Sequence, residues 1–286
     1  MTGNDSMRSN AGDDHRDATP PETSDPARSS LHDDHAVFIP LGLQRRECRH
    51  RATLCLAHMT HASLLARQQA SAFLDPDALQ RMARMAAGTR QHSFLLGRYC
   101  ATQAVSQHLG LPATHAVTIE NGVFGQPLVS SPVGADARIA ISHSANYGCA
   151  LAFDQAQPMG IDLEPADRLE DSVLRPLVTA AEHRWLDAVR PGAHACTWLW
   201  TVKEALGKAL CTGIALPMQL TEVIGIERDG VFLVARFRHL VQYKALSFLW
   251  HGALVSIVLP ARTTLDMPFT GGLRAMDVND TIAGPS

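Results

Sequence analysis

The most regular pattern of apolar and polar positions lies in residues 198–210. Five apolar side chains recur there mostly at intervals of three or four, the spacing of one buried helix face: Leu199, Val202, Leu206, Ala209 and Leu210. Trp200, Glu204 and Lys208 are spaced four apart and are predicted to line a second, exposed face. The pattern predicts a helix that packs on the core and displays one acid and one base.

Two further features of this helix are informative. Gly207 weakens a helix interior by about 1 kcal/mol relative to alanine, so its presence predicts that another element packs closely there. Only three of the 25 basic residues are lysines, namely Lys203, Lys208 and Lys244. Two of the three therefore stand beside Glu204, which indicates a need for a compact ammonium rather than the planar fork of arginine. The alternative is a surface helix with an ordinary Glu–Lys pair, which contributes roughly 0.2–0.5 kcal/mol.

Alternating or short apolar runs predict most other elements of the chain. They predict strands in residues 52–59, 116–120, 138–142, 149–153, 159–164, 220–227, 231–237, 244–250 and 253–259. They predict helices in residues 77–86, from Thr89 or His92 to Leu109, and in residues 179–189. Gly110 favours a left-handed cap after the second helix, and the spacing of Thr179 and Glu182 is that of a capping box. Helices followed by runs of short strands indicate an α+β fold.

The strand predicted at residues 159–164 carries two acids. Successive side chains of a strand point to opposite faces, so Asp162 and Glu164 share one face while Ile161 and Leu163 share the other. Two acids facing solvent are the ordinary explanation of such a triplet. Here the triplet lies among short apolar strands, where two exposed acids are less expected.

Composition narrows the class of protein. The chain has 286 residues, with 46% hydrophobic and 19% charged side chains, as in soluble globular proteins. Residues 1–35 hold eight acids and three arginines and almost no large apolar side chains, which predicts a disordered tail. The net charge of −3 therefore leaves the remaining chain slightly basic, too weakly for general nucleic-acid binding.

Targeting signals and cysteine spacing point to the cytoplasm. No apolar run of eighteen residues predicts a membrane span, and the N-terminus has no secretory h-region. The six cysteines are scattered and include no CxxC pair, which predicts buried free thiols in a reducing compartment.

The three acids also predict a metal site. Asp162 and Glu164 on a strand and Glu204 on a helix offer only oxygen ligands, which select Mg²⁺, or Mn²⁺, over zinc. Lys208, one helical turn beyond Glu204, would then face a phosphate held by the metal. This layout indicates phosphoryl chemistry. A metal-dependent nuclease or phosphodiester hydrolase is an alternative reading of the same acids.

Five short motifs, in order, resemble those of one enzyme family. They are FLLGR at residues 94–98, GQP at 125–127, ISHS at 141–144, GIDLE at 160–164 and WTVKEALGK at 200–208. Together they resemble the 4′-phosphopantetheinyl transferases, in particular the long, monomeric surfactin-synthetase-activating type. The resemblance implies transfer of the phosphopantetheine arm of coenzyme A to a serine of an apo acyl or peptidyl carrier protein, with release of adenosine 3′,5′-bisphosphate.

The resemblance also implies a fold. It consists of two similar α/β halves related by pseudo-twofold symmetry, with coenzyme A in the cleft between them. The expected halves are residues 36–153 and 154–262, and residues 263–286 are expected to form a loose C-terminal tail. A mildly basic core would suit an acidic carrier protein.

Site residues follow from the same resemblance. Asp162, Glu164 and Glu204 would hold Mg²⁺, and Glu204 would take the serine proton as general base. Lys208 would neutralise the leaving phosphate, with Lys203 assisting.

Other residues are implied for coenzyme A itself. Ser142 and His143 would bind its phosphates, with His143 at the 3′-phosphate, and Arg90 and Arg98 would reach the nucleotide. Without the resemblance, His143 is one of fourteen histidines and more typical of a structural residue. Gln126 stands where the family usually has lysine, so a cationic contact from that turn is missing. A silent coenzyme A- or carrier-binding scaffold, or a Ser–His hydrolase on Ser142 and His143, are further alternatives. The hydrolase lacks a GxSxG elbow.

Overall fold

The computed structural model describes residues 35–60, 63–64, 74–86, 88–111, 117–130, 137–166, 177–189, 194–268 and 272–276. The predicted N-terminal tail therefore lies outside the described residues, apart from His35. No helix of the described residues is both long and apolar enough to cross a membrane.

The described residues contain strands and helices in the following order. The N-terminal part holds β1 (His35–Arg45), β2 (Cys48–His58), α1 (Pro76–Ala83), α2 (Thr89–Leu109), β3 (Thr118–Asn121), β4 (Pro127–Ser130), β5 (Ala137–Ser144) and β6 (Tyr147–Asp154). The C-terminal part holds β7 (Gly160–Pro165), α3 (Ala180–Val189), α4 (Ala195–Ala209), a 3₁₀ turn (Gly213–Ala215), β8 (Val223–Asp229), β9 (Phe232–Phe237), β10 (Tyr243–Trp250), β11 (Ala253–Pro260), β12 (Thr264–Asp266) and β13 (Leu273–Arg274). The α+β class predicted from the sequence is confirmed.

The strands form two main antiparallel sheets. The first sheet has the order β12-β1-β2-β6-β5, and the second has the order β7-β11-β10-β9-β8, with β13 paired to β10. Strands β3 and β4 form a separate hairpin. Each main sheet therefore ends in a strand, β5 or β7, that carries residues of the predicted site.

The two sheets pack face to face, with one long helix on each outer side. Successive side chains of a strand point to opposite faces of the sheet. One face of each sheet can therefore pack on the other sheet while the opposite face packs on a helix. In β11, Val255 and Ile257 belong to the core shared by the two sheets, while Leu254 and Val258 belong to the core under α4. In the first sheet, Cys55 and Ala57 pack under α2 in the same way, while Leu54 and Leu56 face the other sheet. The layers are thus helix, sheet, sheet and helix.

Helix α4 lies directly on strand β7 because glycine leaves room for it. A Cβ atom added to Gly160 would lie 2.0 Å from the carbonyl oxygen of Ala205 and 2.6 Å from the amide nitrogen of Ala209. On the helix itself, a Cβ at Gly207 would lie 2.4 Å from the carbonyl oxygen of Gly213 in the 3₁₀ turn. The close contact predicted at Gly207 is therefore confirmed.

Most elements agree with the sequence prediction. The predicted strands and helices between residues 52 and 260 are present, with ends that differ by four residues or fewer. Gly110 ends α2 in the left-handed conformation, with φ of 67°. Thr179 and Glu182 form the predicted capping box through bonds of 2.8 and 3.2 Å.

Three features differ from the expectation. Strand β1 runs over eleven residues, although no strand was predicted before residue 52. Residues 264–266 and 273–274, which were assigned to a loose tail, pair with β1 and β10. This pairing is made by backbone N–H and C=O groups, so the sequence shows no strong side-chain pattern that predicts it. Among the six free cysteines, which were predicted to be buried, Cys48 is exposed and Cys211 is only partly buried.

Gly160→Ala is expected to lower the free energy of unfolding by about 3 kcal/mol, because the new methyl group meets helix backbone that cannot move aside alone. Urea unfolding followed by circular dichroism measures this change. Gly225→Ala is the matched control, since a Cβ there has no heavy atom within 4 Å. Equal stability of the two variants would show that α4 does not rest on Gly160.

Candidate active site

Two serines of β5 hold the two acids of β7. The hydroxyl of Ser142 donates to Oδ1 of Asp162 at 2.6 Å, and the hydroxyl of Ser144 donates to Oε2 of Glu164 at 2.5 Å. Both pairs arise because residues two apart on a strand share a face. The edge strands of the two sheets are therefore joined at the predicted acidic triplet. Ser144 was not predicted as a site residue, although its spacing from Ser142 equals the spacing of the two acids.

Lys208 of α4 reaches the same acid. Its Nζ lies 2.7 Å from Oδ1 of Asp162. The side chain of Asp162 is almost fully buried, and its second oxygen, Oδ2, has no hydrogen-bond partner within the described residues. A buried carboxylate oxygen left without a partner is costly, so this atom is ready to accept a donor or a cation.

Glu204 completes a group of three carboxylates. Burial is the main reason why its pKa rises from 4.5 to about 7, and the nearby charges of Asp162 and Glu164 raise it further while Lys208 opposes them. Glu204 therefore lies within electrostatic reach of both strand acids. Trp200, Glu204 and Lys208 are half-buried rather than exposed, because α4 turns this face toward the neighbouring strand and cavity.

Lys203 lies elsewhere. Its Nζ is 2.7 Å from Oε2 of Glu182 on α3 and 3.3 Å from the carbonyl oxygen of Leu177. Glu182 has no exposed surface, and it also accepts backbone N–H groups of Thr179 and Val223 at 2.8 and 2.9 Å. The side chain of Lys203 therefore anchors α4 to α3 and does not join the carboxylate group. The spacing of Thr179 and Glu182 predicted the start of α3, but it gave no signal of this ion pair.

His143 adjoins the carboxylate group from β5. Its ring packs against α2, where a Cβ at Gly97 would lie 2.8 Å from Cδ2 of the ring. Loss of water around the ring is the main cause that lowers the pKa of His143, and the ammonium of Lys208 lowers it further. Asp162 acts in the opposite direction. His143 thus lies within electrostatic reach of both members of the Lys208–Asp162 pair.

The two arginines of α2 differ in position. Arg98 is buried, donates to the carbonyl oxygen of Ile119 and to Oδ1 of Asn121 at 3.4 Å, and lies 5.3 Å from the ring centre of Phe94. Burial lowers its pKa to about 10. These contacts tie α2 to strand β3 and leave Arg98 outside the cavity walls. Arg90 is exposed in the first turn of α2.

A cavity of about 580 Å³ opens beside Lys208. Its walls come from the β3–β4 hairpin, from the outer edge of β5 and from the end of α4 together with the following turn. Gln126 lines it but turns its amide back, so that its Oε1 accepts the backbone N–H of Phe124 at 2.9 Å. The cavity is large enough for part of a nucleotide-sized ligand.

The donor atoms suit a divalent cation of the magnesium type. In the part of the chain that the structure describes, no three acidic, histidine or cysteine side chains are arranged as a ready metal cage. Mg²⁺ needs no such cage, because proteins commonly hold it by one or two carboxylates, waters and substrate phosphates. Oδ2 of Asp162 and the mutual repulsion of the three acids are the features that a cation would relieve. The residues present therefore fit Mg²⁺ or Mn²⁺.

Comparisons with known proteins point to one enzyme family. A family model described as the 4′-phosphopantetheinyl transferase superfamily matches residues 158–256, which include all three carboxylates and Lys208. The 4′-phosphopantetheinyl transferase Svp of Streptomyces mobaraensis is 30% identical over 183 residues, 62% of this chain and 70% of that protein. The 4′-phosphopantetheinyl transferase gsp of Aneurinibacillus migulanus is 27% identical over 127 residues, 43% of this chain and 50% of that protein.

Lys203→Met is expected to lower the free energy of unfolding by about 3 kcal/mol, because it leaves Glu182 buried without its cation. Arg236→Ala is the control, since it breaks only the exposed pair of Arg236 with Glu227 and costs about 1 kcal/mol or less. Urea unfolding measures both variants. Unchanged stability of Lys203→Met would contradict the anchoring role.

Proposed function

The chain belongs to the 4′-phosphopantetheinyl transferase superfamily and is an enzyme of that class, and we propose that it modifies an apo acyl or peptidyl carrier protein with Mg²⁺ as cofactor. In this reaction a serine of the carrier takes the 4′-phosphopantetheine group of coenzyme A, and adenosine 3′,5′-bisphosphate leaves. The observation that carries the proposal is the Lys208–Asp162 pair beside a cavity of about 580 Å³, with Glu204 in electrostatic reach of both Asp162 and Glu164.

Glu204 is the proposed general base. In the absence of a metal ion, burial and the neighbouring acids raise the pKa of Glu204 to about 7, so its carboxylate holds a proton better than an ordinary glutamate does. The serine hydroxyl of the carrier would lose its proton to a carboxylate oxygen of Glu204 as its oxygen attacks phosphorus. The new P–O bond forms to the serine, while the bond between that phosphorus and the bridging oxygen breaks.

Lys208 is proposed to stabilise the leaving group. Its ammonium would contact the phosphate that carries the developing negative charge, which is the main need of phosphoryl transfer. Its present partner, Asp162, holds it at 2.7 Å and so keeps it aimed at the carboxylate group. Ser142 and His143 would contact phosphates of coenzyme A from the adjoining strand.

Mg²⁺ would be held by Asp162, Glu164 and Glu204. When bound, the ion would supply neutralisation of the diphosphate charge. Ser142 and Ser144 would keep the two strand acids oriented toward it through their 2.6 and 2.5 Å bonds. Lys203, Arg90 and Arg98 are not part of this proposed set.

The proposal includes the position of coenzyme A and the form of the enzyme. The substrate would enter the cavity between the β3–β4 hairpin, β5 and the end of α4, where the two expected pseudo-symmetric halves would meet. A monomer in the cytoplasm is part of the same proposal. A metal-dependent phosphodiester hydrolase is the alternative, and the match to the transferase family weighs against it.

The product distinguishes these functions. Incubation of the protein with coenzyme A, MgCl₂ and an apo carrier protein is expected to add one phosphopantetheine mass to the carrier, measured by mass spectrometry. Glu204→Gln should lower the transfer rate by about 100-fold or more, the usual effect of losing a general base. Glu120→Gln, at an exposed position of β3, should leave the rate unchanged. Consumption of coenzyme A without any carrier would instead support a hydrolase.

Ser144→Ala is expected to weaken metal binding by about 10-fold or more, because loss of the hydroxyl frees the carboxylate of Glu164 to rotate. Electron paramagnetic resonance of Mn²⁺ titrated into the protein, without coenzyme A, measures this directly. Ser247→Ala is the control, since that buried serine bonds to Ser256 and not to a carboxylate. Equal Mn²⁺ affinity in the parent and in Ser144→Ala would contradict the assignment of Glu164 as a ligand.

A further inference from the structure

Two hairpin turns adjoin the bond between Ser144 and Glu164. The β5–β6 turn is closed by Ser144 and Tyr147, which are cross-strand partners. The β10–β11 turn is formed by His251 and Gly252 and belongs to the other main sheet. The hydroxyl of Tyr147 donates to the carbonyl oxygen of His251 at 2.7 Å. This side chain therefore joins a turn of the first sheet to a turn of the second.

The β10–β11 turn also holds the end of β7 that carries Glu164. Glu164 and Leu254 are cross-strand partners in the pairing of β7 with β11. Beyond the end of β7, the backbone N–H of Ala166 donates to the carbonyl oxygen of Gly252 at 2.9 Å. The backbone that follows Glu164 is thus bonded to the same turn that accepts the hydroxyl of Tyr147.

These contacts form a closed ring that includes Glu164. The ring runs from Glu164 to the hydroxyl of Ser144, across the β5–β6 hairpin to Tyr147, on to the β10–β11 turn and back along β7. Cross-strand partners share one face of a sheet, so Ser144 and Tyr147 both face the second sheet from the same end of the hairpin. Without the hydroxyl of Tyr147 the ring is open, and this end of the hairpin can move relative to β7.

Aromatic neighbours fix the ring of Tyr147 independently of its hydroxyl. The ring stacks on His58, with the ring centres 4.4 Å apart and the planes inclined by 25°. It also meets the fully buried ring of Trp250 edge to face, with the centres 6.5 Å apart. Phenylalanine can make both contacts. Tyr147→Phe therefore removes the bond to His251 and keeps the packing of the ring.

We propose that Tyr147 is a positioning residue of the metal site. Its hydroxyl holds the end of the β5–β6 hairpin in place, so that Ser144 keeps the carboxylate of Glu164 in the orientation that binds the divalent ion. The inference rests on the proposed function, in which Glu164 is a metal ligand. A ligand that outer groups hold in place loses less freedom when the ion binds, so such groups strengthen metal binding. Tyr147 acts through Ser144 and contacts neither the ion nor coenzyme A in this assignment.

A double-mutant cycle of Mn²⁺ binding tests the inference. Mn²⁺ is titrated without coenzyme A into the parent, Tyr147→Phe, Ser144→Ala and the double variant, and electron paramagnetic resonance measures the free ion. Tyr147→Phe is expected to weaken Mn²⁺ binding by about 5-fold, the scale of one hydrogen bond. In the Ser144→Ala background the same change should weaken it by less than about 2-fold, because the residue through which Tyr147 acts is already lost. Tyr243→Phe, at the opposite end of β10, is the control and should bind Mn²⁺ like the parent.

Transfer assays and urea unfolding separate positioning from a merely structural role. In Tyr147→Phe the MgCl₂ concentration for half-maximal transfer should rise by about 5-fold, while the rate at saturating MgCl₂ stays within about 2-fold of the parent. A merely structural tyrosine would instead lower the free energy of unfolding and leave the Mn²⁺ affinity unchanged. Circular dichroism confirms that each variant is folded.

Two results would overturn the role of Tyr147. One is equal Mn²⁺ affinity in the parent and in Tyr147→Phe. The other is a 5-fold loss that is as large in the Ser144→Ala background as in the parent, which would show that Tyr147 does not act through Ser144. Either result, with normal transfer by the parent, leaves the proposed function intact. No transfer by the parent would contradict the proposed function itself, and no Mn²⁺ binding by the parent would remove the metal site together with the role of Tyr147.

Discussion

The packing of helix α4 on strand β7 is the constraint on which the candidate site depends. Gly160 has no side chain, and the backbone of α4 at Ala205 occupies the space that a Cβ would fill. The contact brings the helix close enough for Lys208 to reach Asp162 and for Glu204 to sense both strand acids. A wider gap between helix and strand would leave the same acids as separate surface charges.

This arrangement gathers like charges in a partly buried place, which is unfavourable for folding. The effect is seen at Glu204, where burial in the first place and the neighbouring acids in addition raise the pKa of the carboxyl to about 7. The folded protein therefore holds this proton more tightly than the unfolded chain does, and the stability gained at low pH is lost as the pH rises from about 4.5 to about 7. Such strain at a cluster of acids is typical of sites that bind cations or move protons.

The two lysines of α4 have different tasks, and only the structure separates them. Lys208 follows Glu204 by one turn, so its place beside the acids was predictable from helical spacing. Lys203 belongs to the same conspicuous motif, yet it pairs with Glu182 of α3. The two residues are close in the fold, but no sequence pattern links them. Arg98 similarly matched a motif but proved to be bound to the backbone of β3. Motifs show which residues matter, whereas the partner of each depends on long-range packing.

The sequence was most informative where local periodicity decides the structure. Four features were predictable because each depends on residues close together in the sequence. They are the strand acids, helix α4, the capping box and the close contact at Gly207. The pairing of residues 264–266 with β1 was not, because edge pairing through backbone groups needs no side-chain pattern. The Ser144–Glu164 bond was not predictable either, as it requires two sheets to meet at β5 and β7.

The most direct test of the account is the titration of Glu204 by carbon-13 NMR in metal-free buffer. Assignment comes from the signal that disappears in Glu204→Gln, and Asp162→Asn provides the perturbed neighbour. If Glu204 lies beside the strand acids, its titration midpoint is near 7 in the parent, well above the ordinary value of 4.5, and lower in Asp162→Asn. A midpoint near 4.5 that is the same in the parent and in Asp162→Asn would show that the strand and helix acids are not close to each other. That result would contradict the proposed site.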